Sequence, residues 1–174
     1  MAQQPLFRQY IQQARRLARL DPRRPQQGNL RRAVSTAYYA LFHFLIDRSS
    51  RLLVGSTRER EKFRKVVVRA YGHGEMLSVA RTFRGGTFPA IITRIAGPLP
   101  VPSVLRDLAE LFVTLQDERH LAEYDLAVGY LREEVLSLID DVEQAVADWR
   151  TIRMDPAARF FLICLLAWEK IRNK

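Results

Sequence analysis

The segment Asn29–Asp47, NLRRAVSTAYYALFHFLID, restricts the fold more than any other stretch of the chain. On a helix, Arg32, Thr36, Tyr39 and His43 fall at offsets 0, 4, 7 and 11 and form one narrow seam, while Leu30, Val34, Ala37, Leu41 and Leu45 lie away from it and the helix is apolar on most sides. A helix that is apolar on most sides must be enclosed by other elements. Its seam must then face other polar groups, a second subunit or a ligand. Alternatively, Ser35 and Thr36 bond backbone carbonyls and the tyrosines reach water or a neighbour, which makes the same residues ordinary parts of a buried helix.

What encloses this helix is more helix, because the periodicity is helical almost throughout. Pro5–Leu20 carries Leu6, Tyr10, Ala14, Leu17 and Ala18 on one side and arginines elsewhere. The breaker DPRRPQQGN follows, and Asn29 is placed to cap the next helix, which runs past Leu53 to Gly55. Ser56 with Glu59 has the spacing of a capping box, so a third helix is expected over 57–71. YGHG reads as a turn around His73, followed by a short helix over 75–83. The proline- and glycine-rich stretch 84–102 is expected to be irregular, with a weak option of a short strand in AIITRI; irregular stretches of this length are often functional. Helices are expected over Ser103–Glu123 and Leu131–Ile152. Asp155 caps a last one that opens with Pro156 and ends near Ile171. The expected architecture is an all-α, up-and-down bundle of about six helices in a single domain, 1–174, with a core over about 10–150 and a terminal helix, 155–171, packed on it.

The chain's 174 residues suit one domain, and 48% hydrophobic residues suffice for a core. Its one cysteine, Cys164, excludes an internal disulfide and any multi-cysteine metal site. A net charge of +9 comes mainly from arginine, as only Lys62, Lys65, Lys170 and Lys174 are lysines. Arginine pairs bidentately with phosphate or carboxylate and stacks on bases, so nucleic acid or an acidic protein is the expected partner class. A G- and C-rich genome would inflate arginine equally. The N-terminus lacks the apolar run of a signal peptide, and the longest apolar run, FFLICLLAW at 160–168, is too short to span a membrane. A buried terminal helix, a cytoplasmic location and no membrane partner are therefore expected.

The helix over 103–123 has an oddity that matches the first seam. Leu108, Phe112, Leu115, Arg119 and Ala122 share one stripe, which places an arginine among core positions. Such an arginine seldom lacks an acceptor. Glu123, Asp125 and the hydroxyls of Ser35, Thr36 or Tyr39 are the available partners, unless the helix end leaves the core and Arg119 snorkels to water.

RRAVSTAYYALFHFLID followed by LQDERHLAEYDLA resembles the HEPN superfamily. The likeness is strongest to its branch with a serine and YYA-x-FH on one helix (Ser35, Tyr38, Tyr39, Ala40, Phe42, His43) and an arginine with an acidic-Tyr pair on a later one (Arg119, Ala122, Glu123, Tyr124). The resemblance implies a homodimeric helical bundle that acts in toxin–antitoxin, defence or RNA-processing systems. Such proteins often work beside a nucleotidyltransferase-like or antitoxin protein. Active members cut RNA without metal, using an arginine and a histidine separated by four to six intervening residues; the histidine moves protons and the arginine steadies phosphate charge. Here His120 follows Arg119 at once, His73 follows Arg69 after three residues, and His43 follows Arg32 after ten. No pair has the nuclease spacing.

The expected role is therefore binding of RNA or of a nucleotide-handling partner through Arg119, Tyr124, Arg32, Tyr39 and His43. The alternatives are a metal-independent endoribonuclease with a degenerate motif drawn from Arg119, His120, His43 and His73, and a module that only binds protein. No phosphate-binding glycine loop, zinc spacing or repeated Glu-x-x-His occurs, so no metal or cofactor is expected.

Overall fold

The computed structural model describes residues 4–172; residues 1–3 and 173–174 of the expected domain lie outside the described residues. The described chain is all-α: α1 (Leu6–Arg19), α2 (Gln27–Val54), α3 (Glu61–Val67) with a 3-10 turn at Val68–Ala70, α4 (His73–Gly85), α5 (Ala90–Ala96), α6 (Ser103–Tyr124), α7 (Arg132–Ile152) and α8 (Pro156–Arg172). Eight α-helices thus stand among the described residues where about six were expected; the helix with no counterpart in the expected series is α5, inside the stretch 84–102. The chain divides into two compact units. One holds the chain up to Phe44 together with Leu111–Ala147, and the other holds Leu45–Glu110 with the chain from Asp148 onward.

In the first unit α1 buries Phe7, Ile11, Ala14 and Ala18. This stripe lies one residue further round than the expected one, and Leu6 is left 49% exposed. Both stripes are apolar in sequence, and the ring of Phe7, edge-on to Phe44 at 5.2 Å, marks the one that faces the core. Arg15 ties α1 to α7 through Asp140 at 2.7 Å and Glu143 at 2.6 Å. On α2, Leu30, Ala33, Tyr38, Ala40 and Leu41 are all within 1% of complete burial and Phe42 and Ile46 are 6% exposed, so burial extends over several of its faces.

In the second unit α8 packs on α4. Phe83 meets Phe161 edge-on at 5.0 Å, and the Trp168 indole donates to Ser78 Oγ at 3.2 Å. The run FFLICLLAW forms a buried helix face with Ile163 at its edge. Burial pushes the Cys164 thiol up to about 12, which leaves it a poor nucleophile. A short polar chain crosses this core: Tyr71 donates to Ser49 Oγ at 2.6 Å, and Ser49 donates to the Leu162 carbonyl at 2.6 Å. Asp155 caps α8 by accepting from the Ala157 and Ala158 amides, and Pro156 opens the helix as expected.

Four local expectations are corrected. AIITRI is helical, inside α5, and not a strand. His73 opens α4 and does not sit in a turn. The Ser56–Glu59 capping box does not form, and α3 begins only at Glu61. Arginines account for the delay: Arg60 donates to the Val54 carbonyl at 3.0 Å, and Arg64 donates to Gly55 and Thr57 carbonyls at 2.6 and 2.9 Å, so the intervening residues wrap the end of α2. Asn29 lies inside α2, and its amide holds Asp21 at 2.7 Å.

Candidate functional site

The candidate site is built wholly within the first unit, where α2 and α6 bring the two motif segments together. Arg119 on α6 places its guanidinium carbon 5.2 Å from the ring centres of both Tyr38 and Tyr39 on α2. Tyr38 is fully buried and also packs on Phe112, whereas Tyr39 is half-buried. The charge of Arg119 is met by Glu123, one turn on. Nε reaches Oε1 at 3.0 Å and Nη2 reaches Oε2 at 3.1 Å, a bidentate pair.

Its side chain is 19% exposed, so Arg119 stands in the apolar stripe as the spacing indicated, and Glu123 is the partner chosen from the set. Burial works against the charge, but the bond to Glu123 and the oxygens of Tyr39 and Tyr38 outweigh it, and the guanidinium holds its proton above its ordinary value. Burial pushes the Tyr38 hydroxyl well up, with Arg119 pulling the other way.

The seam of α2 is only partly a seam in space. Tyr39 and His43 lie side by side, and Tyr10 of α1 stacks on His43 at 5.2 Å and approaches Tyr39 at 6.3 Å. Thr36 is buried and donates to the Arg32 carbonyl at 2.6 Å, the local use of a helical hydroxyl. Arg32 itself points to solvent. On α6, His120 and Tyr124 are exposed and their rings lie 5.0 Å apart. His73 belongs to the second unit.

Four residues that the sequence does not single out shape this unit. Tyr10 was placed only as an apolar position of α1, yet it lids the His43 ring. Arg31 reads as one more surface arginine. Instead it caps the C-terminal end of α6, donating to the carbonyls of Ala122 at 3.1 Å, Asp125 at 2.9 Å and, through Nη2, Val128. Arg132 does the same for α1, reaching Ala18, Asp21 and Pro22 carbonyls. Gln27 completes the frame by pairing both amide atoms with the backbone of Tyr130 at 2.8 Å. No sequence signal separates these arginines from exposed ones, because a capping partner lies far along the chain.

Other arginines remain open to solvent. Arg16, Arg19, Arg23, Arg24 and Arg32 are exposed and make no ion pair among the described residues. Among the described residues no cluster of histidine, cysteine or carboxylates is arranged to hold a metal ion, and no helix is long and apolar enough to cross a membrane. No protein-family model matches the chain, and comparisons with curated proteins and with solved structures find no match either.

Proposed function

We propose that the chain is a HEPN-like helical protein that binds RNA as a homodimer, in a toxin–antitoxin, defence or RNA-processing setting beside a nucleotidyltransferase-like or antitoxin partner. The observation that carries this reading is the placement of Arg119 against Tyr38 and Tyr39, which joins the two motif segments in one cluster. A guanidinium set against aromatic rings is suited to phosphate, and half-exposed aromatic rings are suited to unstacked bases. Tyr39, His43 and the more exposed Tyr124 supply those rings. Arg16, Arg19, Arg23, Arg24 and Arg32 add unpaired positive charge to the same unit.

The role is binding and not cleavage. This reading rests on the absence of an arginine and a histidine separated by four to six residues; His120 lies beside Tyr124, and the ring of His43 is stacked against Tyr10. The test is a gel-shift titration of a randomised single-stranded RNA pool with the wild type and Arg119→Ala, with folding followed by circular dichroism. The expected result is an intact fold and affinity weaker by about tenfold or more, the scale of one lost charge-assisted contact. Equal binding by both proteins would remove Arg119 from the site. Incubation of the same pool with wild type in EDTA should leave it intact, and cleavage would replace the binding role with a nuclease.

A further inference from the structure

We infer that Glu123 is a built-in competitor for the anionic ligand of Arg119. The inference rests on the RNA-binding reading above and adds how that site is held in check. Glu123 uses both oxygens on Nε and Nη2, the edge by which a guanidinium grips a phosphate bidentately. The two tyrosine rings lie against the guanidinium, each with its centre 5.2 Å from Cζ, and hold it beside α2. A phosphate must therefore displace the carboxylate.

The pair is placed to allow this exchange. Side-chain exposures of 19% for Arg119 and 24% for Glu123 leave it desolvated enough to matter and open enough for a ligand to reach. Glu123 sits one helical turn beyond Arg119 near the end of α6, half-buried between the exposed His120 and Tyr124. The carboxylate thus acts as an internal stand-in for phosphate. It keeps Arg119 neutralised until a polyanion, whose neighbouring phosphates are drawn by the exposed arginines of the same unit, outcompetes it.

The experiment compares the full chain with Glu123→Gln, Asp117→Asn and Arg119→Ala by fluorescence anisotropy on a labelled, randomised single-stranded RNA pool at fixed salt. Asp117→Asn removes the same charge from the exposed face of the same helix and so reports the bulk electrostatic gain alone. Glu123→Gln is expected to bind more tightly than wild type, and more tightly than Asp117→Asn by roughly threefold to tenfold. A gain no larger than that of Asp117→Asn, in a wild type that does bind RNA, overturns the inference and leaves the binding role standing. Failure of both wild type and Glu123→Gln to bind RNA overturns the binding role itself. If Glu123 instead merely positions Arg119, Glu123→Gln weakens binding, and the inference falls in that case too.

Discussion

The guanidinium of Arg31 gathers carbonyls from the last turn of α6 and the loop after it, and its loss leaves them without a donor in a half-buried setting. Arg31→Ala should lower stability by about 1–3 kcal/mol in chemical denaturation, whereas Arg32→Ala, one residue on and exposed, should stay within about 0.5 kcal/mol of wild type. Tyr130, in the same loop, donates to Glu118, and burial followed by the Glu118 charge pushes its hydroxyl up to about 12. An unfolded tyrosine ionises near 10. The folded value is the higher, so the contribution of this phenol to stability is intact below pH 10 and is lost as pH climbs through 12. Denaturation across pH 9–12 should show that decline in the wild type and a flatter profile in Tyr130→Phe.

Charge alone could not sort these residues. Arg119 was recognisable as unusual because it interrupts an apolar stripe at helical spacing. Arg31 and Arg132 were not, because their acceptors are carbonyls contributed by segments about a hundred residues away. Tyr10 was hidden for a related reason: an aromatic ring at an apolar position looks the same whether it fills a core or covers a histidine.

At the scale of elements, the long helices were legible and the short ones were not. α2, α6, α7 and α8 announce themselves by periodicity, by the Asp155–Pro156 start of α8 and by many turns of consistent burial. α5 escaped because seven residues between prolines and glycines carry too little periodicity to distinguish a helix from a strand. α3 starts late because Arg60 and Arg64 reach back six and nine residues to the end of α2, in place of the local box. The turn after α4 does follow a local rule: Gly86 has φ of 67° and sends its amide back to Thr82. Gly86→Ala forces a side chain into that backbone region, 3.0 Å from Arg106, and should cost roughly 1–2 kcal/mol by thermal denaturation. The α4–α8 contact is the larger test of packing. Phe161→Ala should cost about 3–5 kcal/mol, because the ring it removes is fully buried against Phe83.

For the whole molecule, the arginines behind the net charge of +9 are used in different ways, and some, such as Arg15, Arg51, Arg84 and Arg119, pair with carboxylates. Arg31, Arg60, Arg64 and Arg132 are engaged on carbonyls at helix ends, where they stabilise the C-terminal dipole as well as the loops. Arg16, Arg19, Arg23, Arg24 and Arg32 are left open. The fold class was written in the periodicity; the role depends on which arginines are free, and that is a property of the folded chain. The most direct test of the role is photo-crosslinking of wild type to a uridine-containing RNA pool, with the adducts located by peptide mass spectrometry. RNA lying across the Arg119 cluster should leave adducts on the peptides that carry Tyr39, His43 and Tyr124. Adducts confined to the second unit, or none at all, would contradict it.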